Sequence, residues 1–154
     1  ENLRALVNCA FDHEENGSFP KAAKLLEQAH DVAPQDANIL TWLGDNMYFQ
    51  KKWKDAEKRY REAIALDEKL FFAWRGLGFA LMERNRIDDA IAALEKAYAL
   101  KPDAIELLIL MGDLYLDEER LEEAFAKYKA YRDAGGDDPD VLDALDELAE
   151  ELGK

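Results

Sequence analysis

The chain has 154 residues, 49% hydrophobic and 35% charged, with only 8 glycines and 4 prolines. That balance supports a helical domain with a continuous core and excludes a disordered or low-complexity chain. The net charge of −14, from 34 acids and 20 bases, argues against general nucleic-acid binding, which needs clustered Lys and Arg to displace counterions.

The predicted elements are all helices. Apolar residues at helical spacing mark a first pair over 3–16 and 19–32, stopped by Pro34. Asp36 is the expected N-cap of a helix over 37–50, which a short turn joins to 53–66. A third pair covers 71–84 and 87–100 and ends before Pro102, with Asp103 as the expected N-cap of the next helix. The fourth pair covers 105–118 and 121–134. Asp138 then caps a last helix over 139–152, with Pro139 in its first position.

The pairs repeat every 34 residues. Gly44, Gly78 and Gly112 keep that spacing, as do Ala22, Ala56, Ala90 and Ala124. So do Ala29, Ala63 and Ala97, and the large residues Phe19, Trp53, Ile87 and Leu121. Cys9, Leu43, Leu77 and Met111 form another series, and Leu26, Tyr60, Leu94 and Tyr128 a further one. A glycine inside a helix costs about 1 kcal/mol relative to alanine. Its recurrence implies close approach of the second helix, with the alanine series as the expected opposing surface. The last helix has an apolar stripe (Val141, Leu142, Leu145, Leu148, Leu152) and an acidic face (Asp140, Asp143, Asp146, Glu147, Glu150, Glu151). It reads as the polar-outside cap of a repeat array, the alternative being half of a further repeat.

The stretch Trp74-Arg75-Gly76-Leu77-Gly78, followed by Ala90, Leu94, Ala97 and Pro102, resembles the tetratricopeptide repeat pattern W-x2-L-G-x2-Y…A-x3-F…A…P. Leu6, Leu40 and Leu108 stand in place of the tryptophan in the other units, and Gly17 is the one turn glycine kept. Tyr131 replaces the last alanine of its series, so wider packing of the final helix is expected. The resemblance implies an all-α, right-handed α-solenoid over residues 1–154. Its four helix-turn-helix repeats cover about 3–36, 37–70, 71–104 and 105–138, with a capping helix over 139–152.

The resemblance also implies that first helices line a concave groove. The groove positions not needed for packing are Val7 and Phe11, then Thr41, Trp42, Asp45 and Tyr48. The third unit adds Phe72, Arg75, Phe79 and Met82, and the fourth Ile109, Leu110 and Asp113. That face is rich in aromatic and aliphatic residues, where a solvated surface is not. The expected ligand is a protein or peptide segment with apolar anchors, with or without basic residues. An acidic C-terminal chaperone tail is not expected. Its clamp of Lys, Asn, Asn, Lys and Arg would fall on Val7, Phe11, Trp42, Phe72 and Gly76, or on Thr41, Asp45, Gly76, Glu106 and Leu110. Neither frame matches, and Asp45 and Asp113 would repel a carboxylate.

Other features read as structural. Cys9 and His13 lie four apart at packing positions, and burial in the core is expected for both. The one cysteine excludes an intrachain disulfide. The acidic runs at Glu118-Glu119 and Glu122-Glu123 lack calcium-loop spacing, and no zinc, phosphate-loop or nucleophile motif occurs. No metal, cofactor or catalytic residue is therefore expected. Lys51-Lys52-Trp53-Lys54, with Lys58, Arg59 and Arg61, forms one positive patch, a second candidate surface. Asn16-Gly17-Ser18 is a glycosylation acceptor only in a secreted protein.

No run approaches the ~20 apolar residues of a membrane span. No signal-peptide pattern opens the chain, and a cytoplasmic location is expected. Glu1 in place of an initiating Met leads to the expectation of an excised or processed segment. The expected function is an adaptor or scaffold domain. The alternatives are a chaperone of bacterial secretion substrates and a scaffold that self-associates through the same groove.

Overall fold

The computed structural model describes residues 2–154, and the described residues form nine helices and no strand. They are α1 (Leu3–Glu15), α2 (Phe19–Val32), α3 (Ala37–Phe49), α4 (Trp53–Leu66), α5 (Phe71–Glu83), α6 (Ile87–Leu100), α7 (Glu106–Asp117), α8 (Leu121–Asp133) and α9 (Pro139–Leu152). Asp36 and Asp138 cap as expected, their carboxylates accepting from the backbone N–H of Asn38 at 2.9 Å and Asp140 at 3.0 Å. Asp103 does not. The N-cap of α7 is Ile105, with no side-chain capping bond, because the chain first turns through residues 101–104 and the helix starts at Glu106.

The turns within the pairs share one geometry. Gly17, Lys51, Asn85 and Glu119, spaced like the repeat, are left-handed with φ of 70°, 59°, 55° and 56°. Each follows a helix whose last carbonyls are satisfied by two turn N–H groups. In the second turn Lys51 N–H donates to Tyr48 O at 2.8 Å and Lys52 N–H to Met47 O at 2.9 Å. These bonds explain why the backbone holds a conformation that glycine favours even where glycine is absent.

The chain divides into two compact units, Glu1–Ala97 and Tyr98–Lys154. In the first unit the alanine series and Leu26, Leu40, Leu43, Leu77 and Leu81 are buried. The glycines meet large side chains first, and at Gly78 the alanine series also comes close, through the Ala90 carbonyl oxygen at 3.4 Å from an added Cβ. A Cβ on Gly44 would lie 2.6 Å from the Tyr60 ring, and one on Gly76 closer still to the same ring, while Gly78 accommodates Leu94. One buried tyrosine of α4 therefore occupies the space that two glycines leave on α3 and α5. In the second unit Gly112 receives Tyr128 in the same way. Tyr131 is buried, with its ring over Gly136, and its hydroxyl accepts the N–H of Asp138 at 3.2 Å. The bulky residue is absorbed by the adjacent glycine, and α9 packs on α8 through Val141, Leu145 and Leu148.

Cys9 is exposed and His13 only half-buried. The expectation of core packing at both fails: among the described residues nothing buries that face of α1, whereas Leu43 and Leu77 at the matching positions are buried. No described helix is long and apolar enough to cross a membrane. The described residues contain no group of three or more His, Cys, Asp or Glu side chains arranged to hold a metal ion.

Candidate peptide-binding surface

The first unit gathers seven of the predicted groove residues around two adjoining cavities. One, of about 280 Å³, is lined by Asn38, Thr41, Trp42, Asp45, Leu70, Phe72 and Arg75. The other, of about 450 Å³, is lined by Asp45, Tyr48, Phe49, Tyr60, Arg75, Gly76 and Phe79. Asp45 and Arg75 border both. The helical repeat explains the gathering. Trp42, Asp45 and Tyr48 recur every three residues on α3, and Phe72, Arg75 and Phe79 follow the same face of α5.

The rings are organised rather than scattered. Phe11 of α1 meets Trp42 edge-on at 5.1 Å, and Trp42 also packs against the core. Tyr48 touches Trp53 at 4.9 Å and reaches Phe79 at 6.4 Å. Phe49 stacks on Phe19 at 5.6 Å yet remains 63% exposed, and Phe72 is 57% exposed. The Arg75 guanidinium lies over Phe71, Phe72 and Phe79 at 5.0–5.8 Å, a cation held against π faces on the surface.

Asp45 is the polar centre. Its Oδ1 accepts the Tyr60 hydroxyl at 2.7 Å. Burial pushes its carboxyl up to about 6, against the opposing effects of that hydrogen bond and of the Arg75 charge, and the nearby Glu14 charge raises it further. Burial also raises Glu14, which accepts from the fully buried Asn46 amide at 2.6 Å. At the other end, burial and then the Glu83 charge raise the Tyr48 phenol, whose hydroxyl donates to Glu83 at 3.4 Å. The two cavities thus have aromatic walls, one cation in Arg75 and one carboxyl in Asp45, with Glu14 and Glu83 engaged in hydrogen bonds nearby.

The remaining predicted residues are placed differently. Thr41 is buried, and its hydroxyl donates to the Ala37 carbonyl at 2.9 Å, so it contributes floor rather than an open contact. Val7 packs on the first core cluster and Met82 on the second, outside both cavities. In the second unit Ile109 and Leu110 are half-buried, and exposed Asp113 accepts the Tyr128 hydroxyl at 2.5 Å. The sequence reading placed Tyr60 among packing residues and did not include Leu70, yet both line the cavities.

Two family models, each described as tetratricopeptide repeat, match residues 14–78 and 75–139. The chain belongs to the tetratricopeptide repeat family. It is 31% identical over 99 residues to the protein STIP1 homolog of Dictyostelium discoideum, a match covering 60% of this chain and 17% of that protein. The chain therefore spans about a sixth of the length of that curated relative. The crystal structure of the MamA protein superposes with a TM-score of 0.86 at 18% identity, covering 98% of this chain and 82% of that one. The first tetratricopeptide domain of Spaghetti (RPAP3), solved bound to the HSP90 peptide SRMEEVD, gives 0.73 at 18% identity, covering 76% of this chain and 93% of that one. At such identities the structural likeness establishes the fold, an all-α tetratricopeptide solenoid. The family's work is protein interaction, and its signature residues here (Ala22, Gly44, Ala56, Gly78, Ala90, Gly112, Ala124) are all buried scaffold. What this member recognises rests on the side chains between them.

Proposed function

We propose that this chain is a non-catalytic protein-interaction module that binds a peptide segment through apolar anchors on the α3–α5 face. The observation that carries the reading is the pair of adjoining cavities walled by Trp42, Tyr48, Phe72 and Phe79, beside solvent-facing Phe49 and Phe72 rings. Contiguous exposed apolar surface of this kind marks an interaction site, and aromatic anchors carry most of the energy in such sites. Arg75 is the one cation lining these cavities, and Asp45 stands beside it. That favours a ligand with aliphatic or aromatic anchors and a basic residue, and disfavours an acidic tail of the type bound by RPAP3.

Panning a random twelve-residue phage library on the protein tests the reading. Enriched peptides are expected to share two or more apolar anchors. They are expected to lose about ten-fold or more in affinity against Phe72→Ser or Phe79→Ala by fluorescence anisotropy. Phe72 is the cleaner probe, because Trp42 packs on the core and its loss would disturb the fold. Enriched peptides without apolar anchors, or affinity unchanged in both folded variants, would refute it. Concentration-dependent mass abolished by Phe72→Ser would instead identify self-association as the use of this face.

A further inference from the structure

A third cavity, of about 520 Å³, runs along α4 to the end of α5 and shares no residue with the aromatic pair. Lys54, Lys58, Arg61, Arg84, Glu57 and Glu62 line it. Its organising residue is Glu57, which is 7% exposed. Glu57 Oε1 accepts from Arg61 Nε and Arg86 Nη1, both at 3.0 Å, and Oε2 accepts from Arg84. Burial raises this carboxyl, but hydrogen bonds and charge from Arg61 and Arg84 outweigh it and hold it below its ordinary value.

One carboxylate cannot neutralise three guanidinium groups. Arg86 shares its charge with Asp89, at 2.6 Å. Among the described residues Arg61 and Arg84 pair with no second acid, and their side chains are 51% and 31% exposed. Lys54 and Lys58 extend the positive field, and the Lys58–Glu62 pair at 3.9 Å is solvated and weak. The patch foreseen from the sequence is thereby divided. Arg59 turns away to Glu27 at 2.7 Å and Glu62 at 3.1 Å, while Arg84 and Arg86 join from the neighbouring turn. The result is a local cationic surplus in a chain of net charge −14. A buried anion holds two guanidinium forks in place, so little side-chain entropy is left to lose on pairing.

We propose that this cluster docks a carboxylate-rich segment of a partner protein. Arg61 and Arg84 each offer remaining N–H donors to an acidic side chain, and Lys54 and Lys58 add attraction. The aliphatic stems of those four residues supply apolar contact beside the acid. Charge complementarity with the local surplus of Lys54, Lys58, Arg61 and Arg84 over Glu57 and Glu62 selects this occupant.

The test is fluorescence anisotropy with a rhodamine-labelled peptide of alternating Glu and Leu, beside a Lys–Leu peptide of equal length, at low and moderate salt. The acidic peptide is expected to bind, to weaken with salt, and to lose about ten-fold or more in affinity in Arg61→Glu and in Arg84→Glu. Lys54→Glu/Lys58→Glu leaves the Glu57 network intact and decides the matter if either arginine variant fails to fold. It is expected to weaken binding at least about five-fold. Phe72→Ser is expected to leave binding unchanged. Binding insensitive to the charge reversals, or lost only in Phe72→Ser, overturns the assignment. So does displacement by low-millimolar sulfate beyond its ionic-strength effect, which would leave only a small-anion site.

Discussion

Replacing Asp45 by Asn separates the charge at the centre of the aromatic pockets from its hydrogen bond. The asparagine Oδ1 can still accept the Tyr60 hydroxyl, which sits 2.7 Å away, so the perturbation is close to electrostatic. Burial raises this carboxyl from 3.8 to about 6 in the folded protein. In the unfolded chain the proton leaves near the lower value. Between the two the folded state holds more protons, so this group's contribution favours folding at low pH and is lost as pH rises. Below the unfolded value there is no penalty, and above about 6 it is complete. At 1.36 kcal/mol per ten-fold change, the full penalty is roughly 3 kcal/mol. That shift already contains the attraction to Arg75 and the Tyr60 bond, so the expected net gain for Asp45→Asn at neutral pH is of the same order, about 2–3 kcal/mol. Urea unfolding followed by far-UV circular dichroism, on both proteins from about pH 4 to 8, measures the difference while other carboxylates cancel. The expected difference is near zero or slightly unfavourable to Asn at the acid end, and turns in favour of Asn through pH 5–6. A difference independent of pH would show that Asp45 ionises as freely folded as unfolded, and the account of the pocket's electrostatics would fail.

Gly76→Ala places a Cβ against the buried Tyr60 ring. Despite a helix-propensity gain of about 1 kcal/mol, it is expected to destabilise by about 1–3 kcal/mol in urea titration, with much of the loss recovered in a Tyr60→Leu background. Glu119→Gly relieves a left-handed residue with φ of 56°. It is expected to stabilise by about 0.5–1 kcal/mol, read as a rise in thermal midpoint, and Asn85→Gly by less because Asn tolerates that conformation. Glu57→Gln removes the anion among Arg61, Arg84 and Arg86. The stability that Glu57 contributes is present above its unfolded pKa and lost as pH falls through the lowered folded one, so the Gln variant is expected to be less stable at neutral pH and to approach wild type in acid.

The fold was legible because its determinants repeat. The glycine and alanine series and the caps at Asp36 and Asp138 gave helix limits that agree with the structure to within a residue at each end. Properties without a repeat were not legible. The exposure of Cys9 breaks the pattern of its series, whose other members are buried, and the Glu57 cluster occurs once, with Ala23, Ile91 and Phe125 at the matching positions. The left-handed turns were hidden because Lys51 and Glu119 adopt a glycine's conformation under the constraint of two helix-ending hydrogen bonds.

One signal was present at twice the period and bears on the groove. The series at 26, 60, 94 and 128 reads Leu, Tyr, Leu, Tyr, and the groove positions 11, 45, 79 and 113 read Phe, Asp, Phe, Asp. The acid appears where the tyrosine does, because a buried phenol needs an acceptor and a leucine does not. The structure contains both bonds, Tyr60 to Asp45 and Tyr128 to Asp113. Asp45 and Asp113 are thus partly committed to the scaffold, while Phe11 and Phe79 are not committed in this way. Within the first unit, a segment bound as proposed would meet a tied acid at Asp45 and rings at Phe11 and Phe79, so its apolar anchors are expected at those rings.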